Sequence, residues 1–335
     1  MTKKVTITDL AKRANVSVTT VSQILNGKEQ RFSQKTVAKI KALQLEMGYV
    51  PDFNAQSLIS RSGKTIGVIV PSINNPFFAE FNHGIDSYSA SKGYTPLIFG
   101  SNNSPQVESR YLVEAIRRAA DGMIIASAVS DVKETDKLLR QNGLPYLLID
   151  RNPPVKGDLV DVQNKQGGQI VADYLHENGH HKIILVAPKD LTLNMELRIA
   201  GFKEKMKELG VDFSDDQIVH TELSMAGGYQ ITEKVLAAQP TAVFALNDEL
   251  AVGLNRGFAE HDVRVPEDVS LIGYDNIDLA AYTIPSLTTM NQPAFEMGET
   301  AARLIIDRIE NSDSDLQRVT LPIRLVKRNS VKKIN

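Results

Sequence analysis

Cysteine is absent from the 335-residue chain, which excludes disulfides and thiolate metal sites. Long apolar runs are absent too: nothing approaches the roughly 18 residues of a membrane-spanning helix. The opening MTKKVTITD has no apolar segment of signal-peptide type, so a cytoplasmic protein with no membrane partner is expected. No GxGxxG follows the first apolar strand, no GxxxxGK(S/T) occurs, and no Ser-His-Asp arrangement suggests itself. Six histidines are scattered; His180-His181 precedes a strand without acids at metal spacing, and a loop role is expected. Neither a metal, a cofactor nor catalytic residues are expected. What is present is ordinary for a soluble globular protein, with 42% hydrophobic and 23% charged residues. The length implies two or three domains.

The most informative segment is ITDLAKRANVSVTTVSQILN, residues 7–26. Ile7, Leu10, Ala11 and Ala14 have the spacing of one buried helical stripe, and Val21, Ile24 and Leu25 repeat it. Between them, Asn15-Val16-Ser17 forms a turn followed by a serine suited to cap a second helix. Two short helices joined by a tight turn predict a helix-turn-helix, whose second helix lies in the DNA major groove. Val37, Ile40, Leu43 and Leu45 mark a third helix running to Met47 and ended by Gly48. Charge supports the reading. Residues 1–61 carry a net +6 and the remainder −8, a basic head for phosphates on an acidic body.

Tyr49-Val50-Pro51 is expected to be extended, and residues 54–59 could form about two helical turns, too few to be stable alone. From Thr65 the pattern changes. Apolar strand candidates at 65–71, 95–100, 122–127, 146–150, 182–188, 241–246 and 270–274 alternate with amphipathic helices. Such alternation predicts βαβ units and parallel sheets covered on both faces. The alternation restarts near residue 163, after an irregular stretch at 151–158, so two similar doubly wound lobes are expected. TTMNQP (288–293) is expected to cross between lobes, the helix 295–309 to return to the first, and LPIRLV (321–326) to the second.

Ligands bind such sheets at the carboxyl ends of the strands. The residues there include Asn75, Phe77 and Phe78; Asp150 and Arg151; Arg198; Asn247 and Asp248; Asp275 and Asn276; and Gln292 in the crossover. Planar polar groups bridge adjacent hydroxyls while rings cover apolar C–H faces, chemistry that suits a sugar.

With these residues in view, the chain resembles the lac/purine-repressor family over essentially its whole length, ribose operon repressors in particular. The helix-turn-helix, Ala55…Ser57-Leu58, VPEDVSLIGYDNI (265–277) and TTMNQP carry the resemblance together. The lobes also resemble periplasmic sugar-binding proteins, above all ribose-binding protein. That resemblance implies an effector set of Asn75, Phe77, Phe78, Asp150, Arg151, Arg198, Asn247, Asp275 and Gln292. Leu223 stands about where the binding protein has a further stacking Phe, which leaves the aromatic sandwich one-sided. On the DNA side the resemblance implies base contacts by Val18 and Thr19, with Thr20 and Ser22 near phosphates and Thr8, Ser17 and Asn26 alongside. Gln23 stands where relatives commonly place a basic or aromatic residue; Gln favours adenine, whereas Arg favours guanine. In the hinge, Leu58 is implied to wedge into the minor groove, with Asn54, Ala55 and Gln56 lining it.

The expected architecture is therefore α/β: a helix-turn-helix head at 1–49, a hinge helix and linker at 50–63, and an effector-binding core at 64–335. The first lobe comprises 64–162 plus 292–320, and the second 163–291 plus 321–335. The expected function is a homodimeric repressor in carbohydrate metabolism, released from a palindromic operator in double-stranded DNA by a small sugar inducer, D-ribose or another pentose. The hinges are expected to order only when two pack on DNA; if effector-driven closure shifts the first lobes and separates them, effector and operator are expected to weaken each other reciprocally. Purine-type relatives work with the opposite sign. Alternatives are another effector (sucrose, fructose or a sugar phosphate) and a carbon-catabolite regulator sensing a phosphocarrier protein. Two readings of another class, a sugar-processing enzyme using Asp150 and Asp275 and a plain sugar-binding protein, are weaker: no catalytic motif supports the first, and the DNA head argues against the second.

Overall fold

The computed structural model describes residues 5–51, 63–126, 132–150 and 157–334. The chain divides into two compact units, Met1–Gly63 and Lys64–Asn335. The hinge residues Asn54, Ala55, Gln56 and Leu58, and Arg151 of the expected effector set, lie outside the described residues.

The small unit holds three helices: α1 (Ile7–Ala14), α2 (Val18–Leu25) and α3 (Gln34–Met47). Local chemistry fixes each end. Thr6 and Asp9 form a capping box before α1, and Asn15 closes it in the left-handed region at φ 58°. Ser17 caps α2 and Ser33 caps α3 through their hydroxyl oxygens; Gly48, at φ 62°, ends α3. Leu10, Ala11, Ala14, Val21, Ile24, Ile40 and Tyr49 form the core. The third stripe departs from its predicted pattern at Leu45, which is 84% exposed. It sits five residues after the buried Ile40, on the opposite side of a 3.6-residue turn.

The large unit contains two six-stranded sheets. The first lobe comprises β1 (Thr65–Val70), α4 (Pro76–Ser91), β2 (Thr95–Gly100), α5 (Pro105–Arg117), β3 (Gly122–Ile125), α6 (Val132–Gln141), β4 (Tyr146–Ile149) and β5 (Asp158–Val162). The second continues with α7 (Asn164–Glu177), β6 (Ile183–Pro188), α8 (Leu193–Glu208), β7 (Ile218–Thr221), α9 (Met225–Gln230), α10 (Thr232–Ala237), β8 (Ala242–Ala245), α11 (Asp248–Glu260), β9 (Ser270–Asp275), α12 (Leu279–Tyr282) and β10 (Thr288–Asn291). The chain then forms α13 (Ala294–Glu310), β11 (Arg318–Leu321) and β12 (Arg324–Val326). The first sheet is parallel throughout, ordered β11-β5-β4-β3-β1-β2. The second, β12-β10-β9-β8-β6-β7, is parallel except for β12, which runs antiparallel to β10. In each sheet one strand, β1 or β6, is flanked by its two successors. These are the switch points where loops diverge and leave a crevice.

Three differences from the sequence reading follow from pairing. LPIRLV is divided: Leu321 pairs with Val162 in the first sheet, and only Arg324–Val326 join the second. TTMN is a strand, and the crossing is confined to Gln292-Pro293. Asp158, expected in an irregular stretch, opens β5, where its carboxylate receives Arg308 at 2.9 and 3.0 Å. His180 lies, as expected, in a loop, the one between α7 and β6, but fully buried there, with Nε2 3.0 Å from the Lys332 carbonyl oxygen. The helix expected to return to the first lobe does so. Backbone of α13 meets backbone of α4, where a side chain in place of Gly84 or Gly298 would collide with a backbone carbonyl of the facing helix. The lobes are thus joined by three short passages, at Gln163, at Gln292-Pro293 and at Pro322-Ile323.

Candidate functional site

In the head, α2 is the helix expected to enter the major groove. Its first residues, Val18 and Thr19, are exposed, Val18 to 40%. An exposed valine opening a helix, beside a buried Val21, is a side chain the core does not use. Thr8 and Asn26 are exposed, and Ser22 and Gln23 half-buried. Ser17 and Thr20 are already engaged: the Ser17 hydroxyl oxygen accepts from Thr20 N–H at 3.1 Å, and the two hydroxyls lie 2.8 Å apart. Ser22 Oγ accepts from Asn26 Nδ2 at 3.3 Å. Lys39 donates to the Ala14 carbonyl at 2.7 Å, fastening α3 to the turn between α1 and α2.

In the core, a cavity of about 1020 Å³ lies at the carboxyl ends of both sheets. Asn75, Phe77, Phe78, Asp150, Arg198, Leu223, Asn247, Asp275 and Gln292 all line it. Every described residue of the expected effector set is therefore brought together. Asn75 caps α4, its Oδ1 accepting from Phe77 N–H at 2.9 Å. The Phe77 and Phe78 rings meet edge to face, centroids 5.1 Å apart. Leu223 is half-buried in the second-lobe wall.

Arg198 is the hub. It is 2% exposed, yet satisfied: Nε donates to Asn164 Oδ1 at 3.0 Å and Nη1 to the Leu246 carbonyl at 3.1 Å. Its guanidinium lies 3.8 Å from the centroid of the Tyr274 ring, and Nη1 is 3.9 Å from Asp275 Oδ1. Asp275 accepts from Gln292 Nε2 at 2.6 Å. Gln292 Oε1, buried, has no hydrogen-bond partner among the described residues. Asp150 accepts from Asn164 at 3.4 Å and from Asn194 at 3.3 Å. Burial pushes the Asp150 carboxyl up to about 6 and that of Asp275 up to about 7, with Arg198 pulling both back. Asp150, at φ 50°, and Asp275, at φ 113°, hold backbone conformations rare for side-chain-bearing residues.

Several supporting residues lie outside the expected effector set. Asn164 links Arg198 to Asp150. Asp248 lies fully buried behind Asp275, accepting from Thr289 Oγ1 at 2.6 Å and Ile277 N–H at 2.9 Å. Burial pushes its carboxyl well above the usual range, with Asp275 adding to the rise. Tyr274 and Glu249 flank Asp275 and Asn247 within the motifs GYD and NDE. Their motif positions were the available signal; their contacts were not.

No group of three or more His, Asp or Glu with metal-binding geometry occurs among the described residues. Nor is any described helix long and apolar enough to cross a membrane.

Residues 6–52 match the model of bacterial regulatory proteins of the lacI family, and residues 172–331 that of a periplasmic binding protein-like domain. The chain is 33% identical over 334 residues to the HTH-type transcriptional repressor PurR of Photobacterium profundum, covering 98% of this chain and 99% of the relative. It is 35% identical to the PurR of Klebsiella pneumoniae, covering 97% and 96%. Among solved structures, a LacI family transcriptional regulator of Enterococcus faecium with bound ribose superposes with a TM-score of 0.76 at 37% identity, covering 81% of this chain and all of that one. The lac repressor dimer bound to operator and the anti-inducer ONPF gives 0.86 at 25% identity, covering 98% and 100%. Identity at this level along nearly the whole chain goes beyond a shared motif, and the chain belongs to the lacI family of bacterial transcriptional repressors.

Proposed function

We propose that this repressor binds a pseudo-palindromic operator as a homodimer and is released by a free sugar, with D-ribose the leading inducer. The observation that carries the reading is the cleft's lining. Asp150, Asn247, Asp275 and Gln292 present planar acceptors and donors for vicinal hydroxyls, beside the Phe77–Phe78 pair for an apolar sugar face. The orphan Oε1 of Gln292 asks for a donor such as a hydroxyl. Charge narrows the class. Asp150, Asp190, Glu222, Glu249 and Asp275 line the cleft against Lys189 and Arg198. Such a lining suits a neutral polyol better than a sugar phosphate. The two ribose-bound enterococcal regulators, each 37% identical, support ribose over other sugars.

The head contacts DNA through Val18, Thr19 and Gln23, assisted by Thr8, Ser17, Thr20, Ser22 and Asn26, and through Asn54, Ala55, Gln56 and Leu58 of the hinge. A second reading, co-repression, is favoured by the PurR names of the full-length relatives. The test is a thermal-shift panel of ribose, other pentoses, fructose, sucrose and their phosphates. Hits then go to operator binding by fluorescence anisotropy. Ribose should raise the melting temperature and weaken operator binding. A hit that strengthens binding establishes co-repression instead, and a shift with another sugar alone overturns ribose.

A further inference from the structure

The cleft carries a bond that joins one residue of the expected effector set to a residue outside it and crosses from one lobe to the other. Asn75 Nδ2, on the first lobe, donates to Glu249 Oε2, on the second, at 2.9 Å. The two residues are 174 positions apart and stand at the mouths of the two switch-point crevices. We propose that Glu249 is the latch of the two lobes: through Asn75 it positions the start of α4, and with it Phe77 and Phe78, over the cleft, and so sets how closed the core is before effector arrives.

Three observations carry this. First, Asn75 is fixed at both ends of its amide: Oδ1 accepts from Phe77 N–H within its own lobe, so Nδ2 can point only outward, toward Glu249. Moving Glu249 therefore moves the cap of α4, not a free rotamer. Second, Glu249 has no basic partner among the described residues, although it is half-buried in the cleft wall. Desolvation accordingly raises its carboxyl above the usual range. A carboxylate in that position gains from each N–H it can accept. Its neighbour Asn247 caps α11 by accepting from Leu250 N–H at 2.9 Å, which holds the Glu249 backbone in place. Third, the bond is lost as soon as the lobes part, because its two halves share no other element. It is the property of a closed core. One such bond biases an equilibrium by a fold-change without locking it, as a switch requires.

The inference rests on the cleft being the effector site, but its test does not depend on which effector binds. The chain has no cysteine, so Gln106→Cys on the exposed face of α5 and Lys207→Cys on α8 give one pair of spin-label sites per protomer across the lobes, and mixing with excess unlabelled protein confines the measured distance to one protomer. Electron–electron double resonance is then measured on effector-free protein carrying no further change, Glu249→Ala, Glu249→Gln, Asn75→Asp, or Asn75→Asp with Glu249→Gln. The parent should show a short, narrow distance. Glu249→Gln keeps an acceptor oxygen and should stay close to it. Glu249→Ala, and Asn75→Asp, which sets two carboxylates face to face, should lengthen and broaden it. The double variant restores a donor and an acceptor with the polarity reversed and should bring the short distance back. Effector affinity, measured with the sugar that gives a thermal shift, should fall about tenfold in Glu249→Ala, the size of one charge-assisted hydrogen bond. The latch is overturned if all five proteins share one distance distribution, or if the double variant stays as open as Asn75→Asp. The restored distance also separates a lost latch from a misfolded protein. Restored distances without any sugar response would keep the latch and remove the sugar reading.

Discussion

Asp275 concentrates the chemistry of the core. It holds a left-handed backbone at φ 113°, receives Gln292 at 2.6 Å and faces the buried guanidinium of Arg198. Asp275→Ala should weaken effector binding by about 100-fold, two charged hydrogen bonds' worth, while operator affinity without effector stays within about twofold. Titration calorimetry and anisotropy check the two halves. The same carboxyl makes the core pH-dependent. Folded, Asp150 and Asp275 titrate near 6 and 7; unfolded, near 4. Their folded pKa is raised, so the stability they contribute is complete below about 4 and is lost as pH rises to 7, by about 1.4 kcal/mol per unit per proton. The effector-free melting temperature should therefore fall between pH 5 and 7.5, and Asp275→Asn should flatten the fall. If the effector is the proposed sugar, its hydroxyls should donate to the ionised carboxylate, so binding should expel the proton. Affinity should rise over the same window, with proton release visible in buffers of different ionisation enthalpy. At this scale the sequence was legible where motif position decides contact, as for Asp275 and Asn247. It was silent on Asn164, Asn194 and Glu249, ordinary polar residues whose meaning lies in partners 14 to 174 positions away.

Elements were more legible than their edges. The Asn15–Ser17 turn and the Gly48 stop were readable because caps are local: a left-handed asparagine or glycine and a serine oxygen reaching three residues ahead need no tertiary partner. The division of LPIRLV was not readable, since Leu321 and Leu325 carry the same apolar side chain into different sheets and only pairing separates them. Close helix crossings were hidden for the same reason. A Cβ on Gly168 of α7 would lie 1.9 Å from the Arg198 carbonyl oxygen on α8. Gly168→Ala should therefore push the two helices apart, cost about 1–3 kcal/mol by denaturant unfolding, and weaken effector binding by displacing Arg198. In the head, Ser17→Ala removes the cap of α2 and should cost about 1 kcal/mol and reduce operator affinity at every sequence tested.

Across the whole molecule, composition separates a head of net +6 from a body of −8. Operator affinity should drop steeply and linearly on a log–log plot against salt, while effector affinity stays nearly level, because phosphate neutralisation belongs to one binding event and not to the other. If the effector weakens operator binding by a given factor, saturating operator should weaken effector binding by that factor. Equal factors from the two titrations check the coupling.

The three passages between the lobes have a mechanical consequence. Val162 and Leu321 are paired on one side of the junction, and Asn291 and Arg324 on the other, so the third passage is flanked by each of its companions in turn. Straps laid side by side bend together about the line they cross, but they resist shear and twist. Such a joint makes one bending motion the easiest for the two halves. Different effectors are then expected to act on the same motion. They should halt one swing at different angles, so that the extent of operator release by each effector is expected to read out that angle.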